Sequence, residues 1–150
     1  MKLPHPVREI RTINELLAGA DAAARRMGDE SPGPEHLLLA ALAMDDGTAR
    51  RAFARAGADP DAFGAACAPQ HDAGPPKGVF NATPAGRRAF QEAVRLSKQV
   101  KPSRLLGAHV VAAVAGEQQG AAARILREMG VDAAALADAA RAEAESAHAA

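Results

Sequence analysis

Two histidines, His36 and His109, are the residues of this sequence whose type and placement could support acid–base or metal chemistry. Each stands near the start of a predicted helix, and they lie 73 residues apart. Neither has a cysteine, histidine or carboxylate at the spacing of a known ligand motif. A histidine repeated at equivalent helix starts is typical of a structural contact with the backbone near the junction of two repeats. We therefore predict structural histidines and no metal site.

Glu35 is the second candidate, because it falls in the first turn of a helix. A carboxylate there could pair bidentately with a guanidinium, while neighbouring helix N–H groups could take a phosphate. The simpler interpretation is an acid that complements the helix dipole, worth about 0.3–1 kcal/mol. The sequence shows no nucleophile–base pair, paired carboxylates or phosphate-binding loop. We expect a protein that is not an enzyme and uses no cofactor.

A basic stretch, formed by Arg87, Arg88, Lys98 and Lys101, lies along one predicted helix. A solvated face is the simpler interpretation, and an acceptor for acidic surfaces of a partner is the alternative. The single cysteine, Cys67, excludes an intramolecular disulfide and a Cys-rich zinc site. Its Ala-rich surroundings predict an inert thiol, and the cysteine usage favours a reducing, cytoplasmic location.

Composition limits the classes of partner. Of the 150 residues 48% are hydrophobic, but 40 are Ala and aromatics make up 3%. Small side chains favour closely packed helices over sheets. The 18 basic and 18 acidic residues cancel, so no bulk charge attracts nucleic acid or anionic lipid. No stretch approaches the roughly 20 apolar residues of a membrane span. We expect no nucleic-acid or membrane partner.

The elements that position these residues come in two copies. A shift of 73 positions superimposes seven pairs of residues without a gap, which indicates a duplicated unit. The pairs are His36 and His109, Ala40 and Ala113, Gly47 and Gly120, Ala49 and Ala122, Arg51 and Arg124, Gly57 and Gly130, and Asp59 and Asp132.

Each copy is predicted to contain four helices. Apolar residues recur at three- and four-residue spacing, Pro34, Pro60 and Pro84 suit first helical positions, and Gly57 and Gly130 suit helix ends. We predict an all-α fold, a single domain over 1–150 made of two pseudo-symmetric four-helix repeats. Repeat one spans about 10–64, a linker about 65–82, repeat two about 83–140, and a frayed Ala-rich tail 141–150.

Three segments resemble a known family, the Clp N-terminal domain, which is the double-repeat module of the ClpA and ClpC unfoldases. Residues 33–40, Gly-Pro-Glu-His-Leu-Leu-Leu-Ala, are similar to its G-T-E-H-[IL]-L-L-[GA] segment. Residues 47–57 and 120–130 resemble its G-x-A-x-x-x-L-x-x-x-G segment, and Thr83-Pro84 matches the start of its second repeat. The resemblance covers roughly residues 10–140.

The resemblance implies an eight-helix fold and a module that does no chemistry. It implies partners such as adaptors, unfolded substrates or a Clp ATPase. The chain shows no G-x-x-x-x-G-K-[ST] loop, and we interpret it as a free-standing, diverged member. In phosphoarginine-binding relatives the motif Glu pairs with the guanidinium in both repeats. Here Glu35 is kept, but Pro34 replaces the motif Thr and Ala108 stands at the second Glu position. We expect weak phosphoarginine binding at one site at most.

An alternative function is a decoy or sensor for cyclic-peptide antibiotics that target Clp ATPases. Family members that bind such compounds use one aromatic residue near the N-terminus and another just before Thr-Pro. Glu9 and Ala82 occupy those places here, although Phe80 lies nearby and could substitute.

Overall fold

The structure, a computed structural model, describes residues 5–67, 82–99, 103–118 and 120–149. Within these ranges the chain is all-α with no strand, which confirms the predicted fold class. No helix in them is long and apolar enough to cross a membrane. The helices are α1 His5–Arg26, α2 Pro34–Leu42, α3 Thr48–Arg55, α4 Pro60–Ala66, α5 Pro84–Ser97, α6 Gly107–Ala115, α7 Ala121–Glu128 and α8 Ala133–Ala149.

Local signals begin the helices where the sequence places them. Thr83 caps α5, because its hydroxyl oxygen accepts a hydrogen bond from Gly86 N–H at 3.0 Å. Asp59 caps α4 by accepting from Asp61 N–H at 2.9 Å. Proline follows the cap in both helices, where its missing N–H leaves no helical bond unmade.

The glycines that repeat in the sequence lie where the backbone turns. Gly57 and Gly130 follow α3 and α7 with φ of 74° and 76°, a left-handed conformation that side chains disfavour. Gly47 and Gly120, which precede the same two helices, also have positive φ. Gly57 and Gly130 therefore mark equivalent turns, whereas Gly47 and Gly120 share only the positive φ, with ψ of 1° and −177°.

The core is centred on α6, all nine residues of which are buried. It packs against α2, α5 and α8, while α1 covers α2. Backbones approach closely at small residues: a Cβ on Gly86 would lie 2.6 Å from the carbonyl oxygen of Pro32. One on Gly107 would lie 3.0 Å from the Cβ of Ala49. The many alanines and glycines thus let helices of the two repeats come together.

The last helix joins the two repeats near the end of the chain. Helix α8 continues to Ala149, and Glu143 within it is 8% exposed. Its carboxylate accepts hydrogen bonds from Arg51 at 3.1 Å and from Arg55 at 3.0 Å and 3.2 Å, both on α3. This ion cluster fastens α8 of the second repeat to α3 of the first.

Candidate functional site

His36 holds the chain segment that leads into α2. Its Nδ1 accepts a hydrogen bond from Gly33 N–H at 2.8 Å, so the ring proton lies on Nε2. Nε2 in turn lies 2.9 Å from Oδ2 of Asp29, and the side chain is 1% exposed. The protein itself occupies both ring nitrogens.

His109 repeats this contact at α6. Its Nδ1 accepts a hydrogen bond from Leu106 N–H at 2.9 Å. Burial lowers the pKa of His109 to about 4, although the nearby charge of Asp46 acts in the opposite direction. His109 is therefore a neutral hydrogen-bond acceptor at neutral pH.

Asp29, Glu35 and His36 bring potential metal ligands within 4.8 Å of one another. The two carboxylates, however, face different ring nitrogens: Asp29 lies at Nε2, and Glu35 Oε1 lies 3.3 Å from Nδ1. Because Nδ1 already accepts the Gly33 N–H, an ion at Nε2 would gain Asp29 as its second protein ligand and not Glu35. Two ligands fall short of the three or four of protein zinc sites.

Glu35 faces the start of its own helix and is 12% exposed. A Cβ on Gly33 would lie 2.8 Å from its Oε1, which shows how closely the carboxylate folds back. Pro34 is buried at the first helical position, and it carries no N–H. Pro32 removes another N–H two residues earlier. Two backbone donors that a phosphate would need are absent from this helix start.

The equivalent start of α6 has N–H groups, but the protein uses them itself. Four successive amides each donate to a side chain, and three of the acceptors come from the first repeat. The acceptors are Glu9 for Leu105 (3.1 Å), His109 for Leu106 (2.9 Å), Asp46 for Gly107 (3.0 Å) and Thr48 for Ala108 (2.7 Å). The start of α6 therefore offers no vacant donor to an anion at these four residues.

Asp46 and Thr48 form the junction that produces this arrangement. The backbone N–H and hydroxyl of Thr48 donate to Oδ1 of Asp46 at 2.8 Å and 2.6 Å. This leaves Oδ2 of Asp46 for Gly107, and Thr48 is 1% exposed. Sequence reasoning missed both residues, although an Asp two positions before a helix-start Thr is a recognisable local motif.

Two open grooves lie at equivalent places in the two repeats. Groove one, about 410 Å³, lies between α1 and α2 beside the segment that precedes α6. Groove two, about 810 Å³, lies between α5 and α6 beside α8. The 73-residue shift relates most of their lining positions. The related pairs are Glu15 and Arg88, Gly19 and Glu92, Ala22 and Arg95, Arg26 and Gln99, Leu39 and Ala112, Ala40 and Ala113, Ala43 and Gly116, and Met44 and Glu117.

The chemistry of the two grooves has diverged at these shared positions. Groove one combines Leu39 and Met44 with the acids Glu15, Asp45 and Asp46 and the bases Arg26 and Arg104. Groove two has Ala112 and Glu117 at the positions of Leu39 and Met44, and it is lined by Arg88, Arg95, Arg141 and Glu92. The grooves are thus equivalent in architecture and different in what they offer a ligand.

The remaining predicted residues are distributed as follows. Arg87, Arg88 and Lys98 are exposed along α5 and its C-terminal cap, and Arg88 also lines groove two. Lys101 and Phe80 lie outside the described residues. The structure therefore brings one member of the predicted basic stretch into a groove.

The positions that correspond to aromatic residues in antibiotic-binding relatives are both occupied by other contacts. Ala82 is 5% exposed, and the carboxylate of Glu9 accepts a hydrogen bond from Leu105 N–H. Neither presents an aromatic surface to a ligand.

Comparisons with known proteins agree with this architecture. The N-terminal domain of Hsp104 from Candida albicans superimposes with a TM-score of 0.66 at 16% identity, over 85% of each chain. A structure from preliminary investigations of a malarial protein secretion system superimposes with a TM-score of 0.60 at 20% identity, over 89% of this chain and 92% of that one. At these identities the likeness shows the fold.

The family follows from the sequence comparison. The pattern of the Clp repeat (R) N-terminal domain matches residues 11–129, and the chain belongs to this family. The comparison with curated proteins finds no match. Domains of this family are interaction modules of Clp-type machines and carry no catalytic centre of their own.

Proposed function

We propose that this chain is a non-catalytic docking module of the Clp system that binds adaptors, unfolded substrate segments or a Clp ATPase in grooves one and two. The observation that carries the proposal is that the same groove is built twice, at positions related by the repeat. A concave surface kept in both copies, with different linings, suits a protein that receives more than one kind of partner. We place this activity in the cytoplasm.

The state of the candidate reactive groups supports a non-catalytic role. His36 uses both ring nitrogens within the protein. Burial, with a smaller contribution from the charge of Glu35, raises the pKa of Cys67 to about 11. Its thiol is therefore protonated at neutral pH and is a poor nucleophile.

The test uses two variants that fill the grooves at equivalent positions. Ala43 lines groove one and is exposed, and its counterpart Gly116 lines groove two with φ of −75°, a backbone that accepts any side chain. Ala43→Trp and Gly116→Trp place a large ring in each groove. Ala54→Trp is the matched control, because Ala54 is exposed on α3 and lines neither groove.

Binding is measured by fluorescence anisotropy with reduced, carboxymethylated lactalbumin as an unfolded client, and by titration with the Clp ATPase of the same cell. We expect at least one groove variant to lose binding about tenfold or more, equivalent to about 1.4 kcal/mol, while Ala54→Trp binds like the wild type. Equal affinities for all four proteins, or no binding of either probe by the wild type, would contradict the proposal. Circular dichroism verifies that each variant is folded.

The antibiotic decoy or sensor is the alternative function, and the geometry supports it less. Glu9 and Ala82 are engaged or buried, so they give no aromatic platform to a cyclic peptide. Calorimetry with Clp-targeting cyclic peptides tests this alternative. Binding at tens of micromolar or tighter would revive it, and its absence would remove it.

A further inference from the structure

We propose that groove two binds an acidic segment of a partner protein, and that Arg88 and Arg141 take its carboxylates. The inference rests on the proposed docking function and adds the chemical class of one ligand. Groove two contains guanidinium N–H groups that make no hydrogen bond to the described residues.

Arg88 and Arg141 are held near acids without hydrogen bonds to them. Arg88 Nε lies 3.9 Å from Glu117 Oε1, and Arg141 Nη2 lies 3.6 Å from Asp138 Oδ1. Both distances exceed a hydrogen bond. Among the described residues neither guanidinium donates a hydrogen bond, so the five N–H donors of each remain for a ligand. Their side chains are 63% and 52% exposed.

The acids of groove two are less available than its arginines. Arg95 donates to both carboxylate oxygens of Glu92, through Nε at 2.8 Å and through Nη2. These hydrogen bonds lower the pKa of Glu92 against the smaller opposing effect of burial. Glu117 is 23% exposed. Arg88 and Arg141 therefore make only long ion pairs, with Glu117 and Asp138, and keep their hydrogen-bond donors for a carboxylate that can approach more closely.

Comparison with groove one shows that the balance of charge differs between the repeats: groove one is lined by three acids and two arginines, and groove two by three arginines and two acids. Arg88 stands where groove one has Glu15, and Arg95 where it has Ala22. On the floor, Ala112 replaces Leu39, which removes an apolar side chain and widens the groove. The lining suits a segment whose small side chains rest on the floor while its carboxylates reach the arginines at the edges.

The test measures anisotropy of a fluorescein-labelled peptide built from Glu and Ala, with a peptide that has Lys in place of every Glu as the counterpart. Arg88→Glu installs the residue that groove one has at the equivalent position. Arg8→Glu makes the same change of net charge on an exposed part of α1 that lines neither groove. Thermal unfolding verifies that both variants are folded.

We expect the wild type to bind the Glu peptide in preference to the Lys peptide, and more weakly as salt is raised. Arg88→Glu should lower the affinity about fivefold, since it exchanges an attraction between exposed charges for a repulsion. Arg8→Glu should bind like the wild type. Equal affinities of the two variants, or no preference for the Glu peptide, would overturn the inference.

The two experiments can refute the proposed docking function and the acidic-segment inference independently of each other. If the Glu peptide does not bind while the groove-filling Trp variants still block lactalbumin, docking stands and the acidic specificity is refuted. If the Trp variants have no effect and the Glu peptide binds in the Arg88-dependent manner described, groove two is an acidic-peptide site and the wider docking proposal fails.

Discussion

Replacement of Glu143 by Gln tests how the two repeats are held together. The carboxylate of Glu143 on α8 accepts three hydrogen bonds from Arg51 and Arg55 on α3. Burial alone would raise the pKa of Glu143, but the hydrogen bonds and charges of the two arginines together bring it below the ordinary value of 4.5. Glutamine keeps the shape and removes the charge.

The expected loss of stability is moderate because the partners are unequally buried. The side chain of Glu143 is 10% exposed, whereas those of Arg51 and Arg55 are 56% and 48% exposed. Hydrogen bonds to a charged group are worth about 1.5–3 kcal/mol, and solvent around the arginines reduces that value. We expect a loss of about 1.5 kcal/mol, which for a domain of this size lowers the melting temperature by about 3–6 °C.

Urea and thermal unfolding at low salt measure this loss. Glu145→Gln is the control, because Glu145 is exposed on the same helix. Since the folded-state pKa of Glu143 is lowered, its contribution is complete above 4.5 and disappears as the pH falls through the folded-state value. The difference between wild type and Glu143→Gln should therefore narrow below pH 4.5. Equal stability of the two Gln variants at neutral pH would refute the reasoning.

Three further predictions concern the helix starts. Gly86→Ala should lower the free energy of unfolding by about 2 kcal/mol, because its Cβ would lie 2.6 Å from a backbone oxygen. A Cβ on Gly64 would meet no atom within 4 Å, so Gly64→Ala should raise the free energy of unfolding by up to about 1 kcal/mol. Equal effects of the two substitutions in urea unfolding would contradict this explanation by packing. The imidazole of His109 should titrate in NMR near pH 4. Folding lowers this pKa from 6.5, so the unfolded chain binds the proton first as the pH falls. The free energy of unfolding should therefore decrease by up to about 3 kcal/mol as the pH is lowered from 6.5 to 4. Titration of His109 near pH 6.5 would show that its ring is solvated. Free phosphoarginine should bind weakly in calorimetry, and Glu35→Ala should change its affinity less than twofold, since the carboxylate folds onto its own helix start; a tenfold loss would assign the guanidinium to Glu35.

The helices could be predicted from the sequence because their signals are local. The caps Asp59 and Thr83 act within three residues of themselves, and Gly57 and Gly130 turn the chain directly after a helix. A duplicated order of such signals is readable without knowledge of which helices touch. The family resemblance rested on the same local segments.

The contacts that join the repeats could not be predicted in this way. Asp46 meets Gly107 across 61 residues, and Glu143 meets Arg51 across 92. Nothing local distinguishes these acids from solvated ones. The composition of the segment around Glu143 does not reveal that Arg51 and Arg55 on α3 donate hydrogen bonds to its carboxylate.

The grooves were missed for a different reason. Their lining positions are related by the repeat, but most carry different residues, such as Glu15 and Arg88 or Leu39 and Ala112. A search for matched residues therefore passes over them. Only the three-dimensional structure shows that these positions line equivalent grooves although their residue types differ.

Chemical-shift mapping tests the central claim most directly. Unlabelled, reduced and carboxymethylated lactalbumin is titrated into the ¹⁵N-labelled chain, and the backbone amide shifts are followed residue by residue. The account predicts that the largest changes lie along the grooves, around Ala43, Gly116 or both. Changes concentrated on the exposed side of α3, around Ala54, or no changes at saturating client, would contradict it.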